Sequence, residues 1–187
     1  MADCPVPYYC TTYTDYPQGG GCEDGGRNRY FGGGSELWLL KCGAPEIEDP
    51  EDETEIQSLI NAGWFVRLTD IKGGMDEPSA VEVDDVSACG GTITATYERT
   101  ITWQDGKVSK TVTEWYNDAK LKPFAGAFLK ECADGQERWN FVDRPVQLTS
   151  SRTMPNTSSE LQVINGTISW KGLYDPVPFD FPAVTWP

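Results

Sequence analysis

The sharpest pattern along the chain lies in residues 92 to 103, where apolar and polar side chains alternate. Ile93, Ala95, Tyr97, Ile101 and Trp103 fall on one side, interrupted by Arg99, while Thr92, Thr94, Thr96, Glu98, Thr100 and Thr102 fall on the other. A period of two in β-branched and aromatic residues reads as a strand with one face on a core. Gln104-Asp105-Gly106-Lys107 supplies a turn in which Asp-Gly accepts left-handed angles, and residues 108 to 116 are expected to run back. The spacing therefore predicts a hairpin from Thr92 to Tyr116. Twelve residues at about 3.3 Å each span about 40 Å, which is long for a compact domain and makes a neighbouring subunit the expected support.

The remaining pattern predicts further short strands and one short helix. Strands are expected at residues 37 to 42, 64 to 71, 80 to 86, 146 to 150 and 160 to 171, with Lys72-Gly73-Gly74 and Pro78 as breaks. A change of face between Val163 and Ile164 predicts a bulge near Asn165-Gly166. A second Asp-Gly hairpin joins residues 127 to 132 to residues 137 to 142, preceded by a short connector in which Pro123 limits any helix. The helix follows the acidic loop at residues 45 to 55: Asp52 or Thr54 suits its cap, Ile56, Leu59 and Ile60 share a face, and Gly63 suits its end. Residues 1 to 36, rich in Cys, Tyr and Gly, form an arm; residues 37 to 172 form the β domain; residues 173 to 187, rich in Pro and aromatics, form an extended strap.

Composition agrees with this layout. A chain of 187 residues suits one domain with a sizeable core, and 19 Gly and 13 Pro favour short strands and turns over helix bundles. The fold class expected is mainly β, an antiparallel sandwich or barrel with a long hairpin, one short helix and extended arms. A formal charge of −14 disfavours wrapping DNA or docking on an anionic membrane. No apolar run approaches the roughly 18 to 20 residues of a membrane helix, and the start Met1-Ala2-Asp3-Cys4-Pro5 has no signal-peptide pattern. Cys4, Cys10, Cys22, Cys42, Cys89 and Cys132 make an even set, and both redox states stay open; assembly in a cytoplasm followed by release on lysis would accommodate either.

Catalytic chemistry finds little support. The chain has no histidine, so a Ser or Cys nucleophile lacks its usual base and a metal its commonest ligand. The cysteines lack CxxC spacing, which favours structural thiols or disulfides over zinc. Carboxylate pairs and tryptophans would suit glycoside chemistry, but acidic loops are ordinarily solvated and Trp in alternating strands is ordinarily core. Asp70, Asp76, Glu77, Glu82, Asp84 and Asp85 lack the spaced loop of a calcium site, and Asn156 and Asn165 match glycosylation acceptors as short motifs often do. No cofactor, metal or catalytic residue is expected.

The order of pieces resembles the tail-tube-like virion structural proteins of tailed phages, especially those infecting Bacteroidetes. The resemblance rests on the start Cys22-Glu23-Asp24-Gly25-Gly26, the threonine-rich hairpin, the connector, the second hairpin and the closing Gly166-Thr167-Ile168-Ser169-Trp170, covering residues 20 to 172. It implies a β-barrel or sandwich with a flanking helix that assembles with its own copies into stacked rings, alongside other virion proteins. DNA would then pass through an acidic lumen without specific binding, with no membrane involved, in a particle assembled in the host cytoplasm. The longer arms leave a capsid decoration or neck protein as an alternative. A carbohydrate-binding or adhesin module is the alternative from another class. The residues expected to carry assembly are Ile93, Tyr97, Ile101, Trp103, Val112 and Trp115 of the hairpin, with Phe179, Phe181 and Trp186 of the strap as aromatic anchors.

Overall fold

In the computed structural model, the described residues are 34–84, 92–120, 122–133, 136–153 and 162–187. The cysteine- and glycine-rich arm up to residue 33, Cys89, Asn156 and the turn residues 134–135 lie outside them. Alternation of apolar residues builds a closed barrel from six antiparallel strands. These are β1 (Gly34–Lys41), β2 (Phe65–Met75), β4 (Thr92–Asp105), β5 (Pro123–Ala133), β7 (Val146–Thr153) and β8 (Val163–Gly172). Around the barrel they run β1-β2-β4-β8-β7-β5, and pairing of β1 with β5 closes the ring. Three strands lie outside it: β3 (Ser79–Asp84) on β4, β6 (Gln136–Val142) on β5, and the two-residue β9 (Pro178–Phe179) on β6.

The two faces of β1 show how the sequence sorts itself. Leu37 and Leu39 join the interior cluster with Val66, Leu68, Ile101, Trp103, Leu129, Leu148 and Ile168, whereas Trp38 and Leu40 face outward. The outward residues are covered by α1 (Glu53–Asn61) and the C-terminal strap. As expected, Asp52 caps α1, Ile56, Leu59 and Ile60 form its buried face, and Gly63 takes φ +72° just beyond its end.

The expected hairpin from Thr92 to Tyr116 does not form; β4 pairs instead with strands that precede it. Ile71–Met75 and Ser79–Asp84 pair in succession with Ile101–Asp105 and Thr92–Glu98, so β2 and β3 act as one interrupted strand against β4. Lys72-Gly73-Gly74, expected as a break, continues β2, and Gly73 is needed there. A Cβ at Gly73 would lie 2.1 Å from Thr102 O, closer than two strands can approach with a side chain between them. Asp70 takes φ 54°, where β2 slips relative to β1 and turns Ile71 into the core.

The segment after β4 corrects the expected return strand. Residues Lys110–Ala119 form α2, with the Ser109 side chain accepting a hydrogen bond from Val112 N at 3.1 Å. Val112, Trp115, Tyr116 and Ala119 recur at helical spacing and pack into the barrel's interior cluster. The connector is also shorter than expected, because Pro123 opens β5; a strand's first residue is a position that tolerates proline. No bulge forms at Asn165-Gly166: the β4–β8 ladder keeps one register from Tyr97↔Gly172 to Asp105↔Ile164. Gly166 instead makes room for an aromatic ring, since a Cβ there would lie 2.2 Å from the Trp103 indole.

Candidate assembly surfaces

The barrel supports three features that bear on function: an interior filled by a buried cluster, a strap over an aromatic bed, and a two-stranded arm. In the interior, Trp103 Nε1 donates to Tyr116 Oη at 2.9 Å and Tyr116 Oη donates to Asp105 Oδ2 at 3.1 Å. Asp105 is fully buried and also accepts from Lys107 N at 2.8 Å. Burial, and then the Asp105 charge, push the Tyr116 phenol far above its ordinary range. Beside this chain of bonds Lys107 Nζ donates to Thr69 O at 3.1 Å and pairs with Asp70 at 2.9 Å. The arrangement ties α2 and the β4 turn to the barrel wall.

The strap crosses the outer face. Phe179, Phe181 and Trp186, half-buried, pack on Trp38, Phe128 and Trp139, with ring centroids 4.8 Å apart for both Trp38–Phe181 and Trp38–Trp186. Proline at 176, 178 and 182 removes donors, so side chains supply most of the hold. Gln57 bonds Thr185 through N at 2.8 Å and O at 2.8 Å, and the Arg67 guanidinium lies 5.0 Å from the Trp186 ring while pairing with buried Glu36. Asp175 pairs with Arg99, a guanidinium buried at the end of the interior.

The arm is the part of the β2–β3/β4 hairpin that leaves the barrel. The β4–β8 ladder begins at Tyr97, so Thr92–Thr96 pairs with β3 alone, and β3 pairs only with β4 among the described residues. Among the described residues, neither outer edge of this ribbon has a strand partner.

No family model, curated protein or solved structure matches this chain. Function therefore rests on the site geometry. Among the residues expected to carry assembly, Ile101, Trp103, Val112 and Trp115 are 0%, 2%, 3% and 5% exposed and belong to the core. Their side chains cannot meet a partner while the barrel is intact. Tyr97 is half-buried at the root of the arm, with the Arg99 guanidinium 5.6 Å from its ring. Ile93 lies on the arm opposite Val83, and its side chain is outside the described residues. Phe179, Phe181 and Trp186 anchor the strap to its own barrel.

Two structural details add to the sequence reading. Cys42 is disulfide-bonded, so its sulfur, 3.4 Å from Pro123 O, makes a packing contact there. The acidic loop serves local structure: Glu55 accepts from Glu48 N at 3.0 Å and Asp49 N at 3.1 Å, and Asp52 caps α1. Among the described residues, no three Cys, Asp or Glu side chains are grouped to hold a metal ion.

Proposed function

We propose that this chain is a structural subunit of a virion, a tail tube protein whose copies assemble into stacked rings around a channel for DNA. The observation that carries the reading is the arm: Val81–Asp84 and Thr92–Thr96 form a two-stranded ribbon beyond the point where β4 leaves β8. Such a ribbon is marginal by itself in water and presents open edges, so a neighbouring subunit is its natural cover. A net charge of −14 suits a channel wall that a polyanion passes without sticking. The tryptophans favour this role over a sugar-stacking module, because five of the seven are buried and Trp64 and Trp186 are half-buried.

The test is light scattering and negative-stain microscopy of the purified chain, alongside a variant in which residues 80–97 are replaced by Asn-Gly. In that variant Ser79 and Glu98, already paired, would close a short hairpin. Rings or tubes from the parent chain and none from the folded variant are expected. A parent chain that stays a 20.7 kDa monomer at all concentrations sinks the proposal.

A further inference from the structure

On the outer face of β4, β8 and β7, cross-strand pairing lines up three rows of side chains. Thr100, Ser169 and Gln147 form the first row, Thr102, Thr167 and Thr149 the second, and Gln104, Asn165 and Ser151 the third. These nine residues are half-buried or exposed and none is charged, although Asp, Glu, Lys and Arg make up 24% of the chain. The grid covers roughly 10 by 15 Å between side-chain origins, from the usual strand spacing and rise. Gly74, opposite Thr102 on β2, adds no side chain at its border, whereas Lys72, opposite Gln104, and the Glu98–Lys171 pair beyond the first row set charged side chains around it. The Asp76 carboxylate touches the grid at its edge, accepting from Thr100 Oγ1 at 3.1 Å and Thr102 Oγ1 at 3.2 Å.

We propose that this neutral grid is a contact face for a second copy of this chain. The inference rests on the reading of the protein as a self-assembling subunit, and names the surface through which copies meet. Two chains each carrying −14 repel wherever acidic surfaces meet, so the lowest Coulomb cost falls where the surface bears no charge. Hydroxyl and amide groups each donate and accept, which makes a face of Thr, Ser, Asn and Gln complementary to another like it; a face of carboxylates is not. The grid is also bordered by usable main chain. Strand β7 pairs with β5 only at Val146 and Gln147 among the described residues, leaving the edge from Leu148 onward without a strand partner, and β4 runs from the grid directly into the arm. A copy seated on the grid thus reaches both an open edge and the arm.

The experiment measures the concentration for half-assembly of the full chain, by light scattering, for the parent, Thr167→Glu, Thr149→Glu and Ser58→Glu. Thr167 is at the centre of the grid and Thr149 on its exposed rim, so a variant survives if one substitution disturbs folding; Ser58→Glu puts the same charge on the exposed side of α1. A carboxylate buried between copies is expected to raise the half-assembly concentration by about tenfold or more, with circular dichroism unchanged and Ser58→Glu like the parent. If the folded grid variants assemble as the parent does, the proposed face is wrong while self-assembly stands. If the parent never assembles, the assembly reading fails and takes this inference with it.

Discussion

Replacing Tyr116 by Phe removes one oxygen from the barrel interior and takes the acceptor from one buried indole N–H. Trp103 Nε1 loses its acceptor at 2.9 Å, and Asp105 Oδ2 loses a donor at 3.1 Å while Asp105 Oδ1 keeps the Lys107 N–H. An orphaned buried donor costs about 1–3 kcal/mol, so the variant should lose about 1–3 kcal/mol. For a domain of this size that is a fall in Tm of roughly 2–12 °C. The control is Tyr174→Phe, on a side chain 81% exposed, where the change should stay within about 0.5 kcal/mol. Thermal and denaturant melts followed by far- and near-ultraviolet circular dichroism measure both. A Tyr116→Phe variant within about 1 °C of the parent would refute the reasoning. The same bonds set a pH response. The folded phenol ionises at higher pH than the unfolded one because it is buried beside Asp105. This contribution is therefore level below pH about 10 and falls by about 1.4 kcal/mol per pH unit above it, as the unfolded tyrosine loses its proton first. Tyr116→Phe should flatten that slope; an equal slope in both proteins would assign it to other groups.

Gly166→Ala places a Cβ 2.2 Å from the Trp103 ring, which is itself held by Tyr116, so a loss of about 1–3 kcal/mol is expected in a urea melt, where no change would show that β8 shifts freely. Ser109→Ala removes the cap of α2 and should cost about 1 kcal/mol by the same assay, whereas the strand expected there would be indifferent to the change. Truncation after Gly172 uncovers Trp38 and Trp139 by removing Phe181 and Trp186; it should lower stability by about 3 kcal/mol and raise binding of a hydrophobic dye. An unchanged dye signal would mean that the bed closes without the strap.

Legibility in the sequence followed the range of the interaction that decides each element. The helix α1 was readable because Asp52, Ile56, Leu59, Ile60 and Gly63 state its cap, face and end within a dozen residues. The strand at Thr92–Asp105 was readable from its period. Its partner was not, because a register between β4 and β2–β3 depends on how the barrel closes, and the Asp105-Gly106 turn invited pairing with residues 108 to 116 instead. The helix α2 carried a local signal, Ser109 ahead of Val112, Trp115, Tyr116 and Ala119, but Thr111, Val112, Thr113 and the two aromatics favour strands by propensity. Tertiary burial against Trp103 and Ile168 decided for the helix. Four of the candidate contact residues, Ile101, Trp103, Val112 and Trp115, lie in the core, because an apolar stripe on an element marks the core first; under the assembly proposal a contact surface on β4 would use its opposite face.

Strand β4 consequently carries two sets of residues with separable effects. Its inward residues, Ile101, Trp103 and Asp105, are buried in the barrel, and under the assembly proposal substitutions there are expected to lower assembly by unfolding the subunit. Its outward residues, Thr100, Thr102 and Gln104, lie beside their neighbours in the grid, Asp76 and, across from Gln104, Lys72, so their replacement should change the melt little. Plotting half-assembly concentration against Tm for both sets therefore discriminates between the readings. Points from the inward set should follow one falling line, because assembly there is limited by the folded fraction, while points from the outward set should leave that line vertically. If both sets fall on one line, assembly depends on β4 only through folding, and the contact face has to be sought elsewhere on the barrel.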